Sequence, residues 1–437
     1  MGQVTGGELV VRTLVKAGVT DAFALHGGHL ESIFQACLDH DLKVVDHRDE
    51  AAAGHAAEGY ARARRGLGVA MATAGPGFTN ILTSVANAFN DRTPVLYITG
   101  SAPQAAEDMN QSQAGIDNVA ISRPLTKWSR RITSTADIPR LVAHAIRVAT
   151  SVPTGPVLLD IPFDVSLSMA DEGVTDLVGA VQSAPAPAPS PGAIAETLAL
   201  LAAAERPVVM VGEGAWQSGA EEELRAFVEA TEIPVFAHYQ SYGMIPSDHP
   251  LFGGGFYKMC DLVAPTERPD VVLAMGTRFG VYTLHPSDRV VPASATVIQV
   301  EVDPLELGRI RRVDLAIEAD SRLTLMALNA ALGEHSWPER KEWQVIVAST
   351  KSDREEQLKA FIGSGVDRIH PYEVAKEVVS AMDDAILVGD GAEAHQWIAE
   401  VVHPSAPGEY FTHGHFACLG MGLGFAIGVQ TANPSRR

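Results

Sequence analysis

The sequence predicts an α/β protein of three successive doubly wound parallel-sheet domains, the third incomplete. Three observations carry that expectation. Short apolar, β-branched runs alternate with helix-spaced runs of about ten to fifteen residues, the pattern of parallel strands joined by crossover helices. Apolar residues make up 46% of the chain and aromatics 6%, so the cores are aliphatic and close-packed on alanine. A proline-rich stretch and a polar stretch divide the 437 residues into three.

The elements follow in order. An amphipathic helix over 7–16 leads to a strand at 21–25 and a helix at 30–40. Strand 42–46, helix 51–64, strand 69–73, helix 78–89 and strands 95–99 and 157–161 complete a first domain, 1–182. The segment 183–193 alternates proline with alanine or serine and reads as an extended linker. Strands at 208–211, 235–237, 271–274 and 297–300 place a Rossmann-like central domain at 194–340. A polar connector, 341–366, leads to a last region, 367–437. That region offers a helix at 371–382, a strand at 385–388, the loop Gly389-Asp390-Gly391 and a glycine-spaced helix over 420–428. One strand is too little for a parallel-sheet domain, so the chain is expected to stop inside its third domain.

Composition excludes several classes. A formal net charge of −20 is the wrong sign for a nucleic-acid partner, which needs clustered Lys and Arg. No apolar run approaches the roughly 18 residues of a membrane span, and the N-terminus has no signal-like core. Cys37, Cys260 and Cys418 are far apart, in no disulfide or zinc spacing. A cytoplasmic location is expected.

Parallel sheets bind ligands at the carboxyl ends of their strands. There the first domain carries His26-Gly27-Gly28-His29, Glu50, Thr73-Ala74-Gly75-Pro76-Gly77 and Gln111-Ser112-Gln113, after the first to fourth strands. Glu50 begins an alanine-rich helix. Such a carboxylate is either a helix-start residue favoured by the dipole or an acid held away from water, able to share a proton. The convergence of four loops brings an acid, an imidazole, an amide and bare glycine backbone to one crevice.

The order Gly-Gly-His, strand, Glu-Ala-Ala-Ala, then Thr-Ala-Gly-Pro-Gly resembles the pyrimidine-binding domain of thiamine diphosphate enzymes of the acetolactate synthase and benzoylformate decarboxylase family. Within it the sequence is most similar to benzaldehyde lyase-like members, over 5–14, 33–41, 113–117, 155–160 and again around 278–280 and 413–414. The resemblance implies a carbon–carbon lyase or carboligase interconverting aromatic aldehydes and 2-hydroxy ketones. It implies thiamine diphosphate with magnesium, no FAD, and a homodimer or homotetramer whose cofactor bridges two subunits. It assigns Glu50 to a hydrogen bond that sets the tautomer of the cofactor's aminopyrimidine. It assigns Thr73, Gly75, Gly391 and Ala392 to cofactor contacts and Leu419 to the apolar rest on which the cofactor bends. His29, Gln113 and His413 would orient substrate oxygens and relay protons, and Gly28, Phe163, His395 and Ala417 would line the substrate pocket.

Three of those wall positions depart from the benzaldehyde lyase pattern: Phe163 replaces a tryptophan, Gly28 an alanine and His395 a tyrosine. They leave the preferred aldehyde open. Gly389-Asp390-Gly391 imitates the family's metal motif, but the only later asparagine, Asn433, is too distant. The magnesium ligands are therefore expected beyond Arg437, and this chain is expected to be inactive alone. The loop Val211-Gly212-Glu213-Gly214 and Asp303 suit either a nucleotide or plain scaffolding. Two alternatives stand beside the lyase: an acetolactate synthase-like 2-keto acid decarboxylase/carboligase, and an inactive fragment or nucleotide-binding scaffold.

Overall fold

The computed structural model describes residues 2–106, 108–175, 178–179, 181, 183–364, 368–382 and 384–437. They form two compact units, Met1–Pro185 with His413–Arg437, and Ala186–Thr412.

In unit 1, strands β1 (Asp21–Ala24), β2 (Lys43–Asp46), β3 (Gly68–Ala72), β4 (Val95–Ser101), β5 (Trp128–Arg131) and β6 (Val157–Pro162) make one sheet. All are parallel, in the order β2-β1-β3-β4-β6-β5. Strand order reverses between β1 and β3, which is where such sheets open a crevice. The pleat sends Val69 and Met71 to one face and Ala70 and Ala72 to the other. Helices α1 (Gly6–Lys16), α2 (Glu31–Asp39) and α5 (Ile138–Thr150) cover the first face through Leu9, Leu14, Ile33 and Val142. Helices α3 (Glu50–Arg64) and α4 (Pro76–Asn90) cover the second through Ala53, Ala57, Phe78 and Val85. The alanines let α3 lie close to the sheet. They also let a last helix, Gly422–Ala432, lie close to α3. A Cβ at Gly424 or Gly428 would come within 2.6 or 1.9 Å of the carbonyl oxygens of Ala52 and Ala56, so glycine sets that spacing.

Unit 2 repeats the plan with another strand order. Strands β7 (Pro207–Val211), β8 (Val235–Ala237), β9 (Phe252–Gly255), β10 (Val271–Met275), β11 (Thr296–Glu301) and β12 (Leu315–Glu318) run parallel as β9-β8-β7-β10-β11-β12. A small parallel pair, β13 (Leu387–Gly389) and β14 (Tyr410–Thr412), completes it.

The structure adds to the sequence-based expectations at the edges. Strands β5, β9 and β12 are edge strands, and none shows a buried strand's continuous apolar run. Their sequences are Trp-Ser-Arg-Arg, Phe-Gly-Gly-Gly and Leu-Ala-Ile-Glu. The polar stretch expected to be a connector over 341–366 contains a 19-residue helix, Lys341–Lys359, which buries Trp343 and Val347. Residues 413–437, expected in a third domain, group with unit 1 because the glycine-lined helix packs on α3. Among the described residues no helix is long and apolar enough to cross a membrane.

Candidate functional site

The β1–β3 crevice is assembled from four strand ends. Asp49 caps α3, its Oδ1 accepting from the Ala52 amide at 3.0 Å, which fixes the first turn and therefore Glu50. The Glu50 side chain turns inward and the residue is 7% exposed. Asn80, in the first turns of α4, donates through Nδ2 to Glu50 Oε2 at 3.1 Å. On the other side lies Gly77, where a Cβ would stand 3.2 Å from Glu50 Oε1. One carboxylate oxygen is thus tethered, and the other faces a residue with no side chain to cover it. The sequence pattern does not single out Asn80. A polar residue between Phe78 and Ile81 on a core-facing helix is the available signal.

His29 follows β1 on a short 3-10 turn, Gly28–Leu30. Its Nδ1 lies 3.4 Å from Thr73 Oγ1, and its ring meets Phe163 edge-on with centroids 5.8 Å apart. Partial burial lowers its pKa, and a hydrogen bond with Gln113 offsets part of that. The ring is therefore neutral at pH 7, one nitrogen donating and the other accepting. Gln113 itself is exposed, with φ +61°. Its loop sits on Gly75 (φ +60°), where a Cβ would come within 2.9 Å of the Gln113 Cα. Glycine is required there both for the backbone angle and for the approach.

The Gln113 loop is pinned at its base by a network the sequence did not reveal. Buried Asp160 on β6 accepts from Asn118 Nδ2 at 2.9 Å, Thr99 Oγ1 at 3.3 Å and Arg131 Nε at 2.7 Å. A satisfied buried carboxylate of this kind fixes geometry. Of the expected site residues, His29, Thr73, Gly75, Gln113 and Phe163 are brought together, with Glu50 one step away across Gly77. Gly28 stands at the mouth, where an added Cβ would meet nothing within 4 Å.

The remaining expected residues lie elsewhere. In unit 1, His413 is buried with Nδ1 on the Gly414 carbonyl at 3.1 Å. Ala417 (φ +53°) and Leu419 (65% exposed) belong to the surface loop that leads into the last helix. In unit 2, Gly391 (φ +80°) precedes the helix Ala392–Val401 and its amide donates to Asp390 Oδ1 at 2.6 Å. His395 is buried in that unit, Nδ1 donating to the Gly391 carbonyl at 2.8 Å and its ring edge-on to Tyr239.

The residues present fit half of a thiamine diphosphate site: a tethered carboxylate for a ring nitrogen, beside glycine backbone and a neutral imidazole. Among the described residues no group of three or more His, Cys, Asp or Glu could hold an ion.

Residues 4–121 match the thiamine pyrophosphate enzyme N-terminal TPP binding domain, 194–328 the central domain and 390–437 the C-terminal TPP binding domain. The chain is 32% identical over 436 residues to an acetolactate synthase of Mycobacterium bovis, covering 99% of this chain and 70% of the relative. It is 30% identical over 452 residues to a probable acetolactate synthase large subunit of Methanocaldococcus jannaschii, covering 98% and 74%. To the acetolactate synthase isozyme 1 large subunit of Escherichia coli it is 30% identical over 437 residues, covering 99% and 75%.

Proposed function

The chain belongs to the thiamine pyrophosphate enzyme family, and from that premise we propose that it is a thiamine diphosphate-dependent carboligase of the acetolactate synthase type, with a 2-keto acid as acyl donor. The observation that carries the reading is similarity to acetolactate synthases along almost the whole chain, and the tethered Glu50 carboxylate supports it. When bound, the cofactor supplies an acidic C–H and an electron sink for a bond breaking next to a carbonyl.

The chain's own groups do the rest. Glu50, steadied by Asn80, would hold and share a proton at the cofactor's ring nitrogen. Thr73 and Gly75 would contact the cofactor, the glycine admitting it to the backbone. His29, neutral and flanked by Thr73 and Gln113, can give or take a proton at a substrate oxygen. Phe163, edge-on to the His29 ring, would form the apolar side of the pocket.

A second reading has its own support. His29, Gln113 and Thr73 form an uncharged polar set against an aromatic wall, which suits an aromatic aldehyde or 2-hydroxy ketone. One experiment separates the two. The purified protein, given thiamine diphosphate and magnesium, is offered pyruvate in one vessel and benzoin in another. Carbon dioxide and acetolactate from pyruvate support the first reading. Cleavage of benzoin to benzaldehyde with pyruvate untouched overturns it in favour of the second. If calorimetry shows no cofactor binding and both substrates survive, both readings fail and a scaffold remains.

A further inference from the structure

Outside the crevice, unit 1 holds a thiol, an imidazole and a carboxylate in line. Glu58 on α3 is wholly buried and accepts from Asn87 Nδ2 at 2.9 and 2.8 Å and from Thr93 Oγ1 at 3.4 Å. One turn earlier His55, 3% exposed, sets its Nδ1 3.7 Å from Glu58 Oε2. The far ring nitrogen, Nε2, lies 3.6 Å from the sulfur of Cys418, which is also 3.7 Å from the Leu419 carbonyl. Cys418 is half-buried, and Phe416, Ala417, Leu419 and Gly420 around it are exposed.

We propose that Cys418 is a nucleophilic modification site for soft carbon electrophiles of the α,β-unsaturated carbonyl class. In the step, sulfur attacks the β-carbon and a C–S bond forms as the C=C π bond opens. The electron pair passes to the carbonyl as an enolate. The thiol proton leaves to solvent beside the charged imidazole of His55, whose Nε2–H gives a proton to the enolate carbon and regains one from water, so neither oxidant nor reductant is needed. Glu58 acts as a positioning residue, orienting the imidazole and stabilising its charge.

The other two thiols show why this one differs. Burial pushes Cys37 up to about 12 and raises Cys260 as well, which leaves both protonated and inert. Burial also opposes charge on His55, but Cys418 and Glu58 outweigh it and push the imidazole up to about 9. The further charged or titratable groups packed around the pair are Arg62 with Asp91, 3.9 Å apart, and Tyr97, which feels Glu58.

N-ethylmaleimide at limiting concentration, followed by peptide mass spectrometry, tests the proposal on the intact chain. Cys418 should react at least about tenfold faster at pH 7 than N-acetylcysteine, with Cys37 and Cys260 unlabelled. His55→Gln should slow Cys418 at least about fivefold. Should that variant not fold, the wild-type chain decides, because Cys418 should be labelled faster than N-acetylcysteine and ahead of both other thiols. A Cys418 rate no greater than the free thiol's overturns the site.

Discussion

In unit 1 the crevice where strand order reverses is lined by side chains that reach toward solvent, while in unit 2 the equivalent crevice is filled by the protein itself. Both begin alike, with glycines after a buried strand. After β3, Gly75 lies against the Gln113 backbone and Gly77 against the Thr73 side chain, where added Cβ atoms would come within 2.9 and 2.8 Å. After β7, Gly212 and Gly214 are pressed on the backbone of Gly276, where added Cβ atoms would come within 2.4 and 2.8 Å. Glu213 then accepts from Arg278 Nε at 3.0 Å and lies 3.7 Å from His238 Nδ1, so a buried ion pair occupies the position of a ligand. Asp303 turns on itself likewise, accepting from the Leu305 amide at 3.0 Å. A glycine loop therefore signals close backbone approach, and only the neighbouring side chains reveal whether the visitor is a ligand or another loop.

The largest expected effect falls on the open crevice. Glu50→Gln keeps the shape and the Asn80 contact but changes the proton inventory, so kcat should fall about 100-fold or more. The melting temperature should stay within about 3 °C. Steady-state kinetics and a thermal melt check both, and full activity in the variant would remove Glu50 from the mechanism.

The closed crevice should answer in the opposite way. Arg278→Leu removes the guanidinium that pairs with buried Glu213, at a cost of about 3 kcal/mol in urea unfolding. Activity per folded molecule should change less than about twofold, as expected for a change outside the reacting groups. Loss of activity at full stability would mean that unit 2 binds something the reaction needs.

These two outcomes also mark how far the sequence could be read. The buried strands and the loops at their ends were legible, because an apolar run bounded by glycine and polar residues has few other uses. Edge strands such as β5 were not, since Arg131 is placed by Asp160 across the sheet and nothing local announces it. Glu50 was legible as a candidate through its alanine-rich surroundings. Asn80 and Asp160, which steady the crevice, act through partners 30 and 42 residues away. The helix at 341–359 was hidden by its polarity, because only one narrow stripe of it is buried.

A smaller effect distinguishes two buried His–Glu pairs, each 3.7 Å apart. In unit 2 Arg278 shares Glu213. In unit 1 His55 keeps its proton up to about 9, above the ordinary value of 6.5, despite the opposing effect of burial. A raised folded-state value stabilises the protein fully below about pH 6.5, and that stability is lost as pH rises through about 9. Urea unfolding should therefore show about 3 kcal/mol less stability at pH 9.5 than at pH 6.5. His55→Gln should flatten that slope. An unchanged slope in the variant would move the titrating group elsewhere.

The smallest effect comes from placing one methyl group in each crevice. At Gly28 a Cβ meets nothing within 4 Å, and the backbone is in an ordinary region. Gly28→Ala should leave stability within about 0.5 kcal/mol. The methyl group does enter the space beside His29, so KM for a bulky acceptor should rise about two- to tenfold with kcat little changed. At Gly212 the same methyl would lie 2.4 Å from the Gly276 carbonyl oxygen, and Gly212→Ala should cost about 1–3 kcal/mol with substrate preference untouched. Measuring KM and urea midpoint for both variants tests the contrast directly. If the two alanines behave alike, the open and closed crevices are not the different places that their packing indicates.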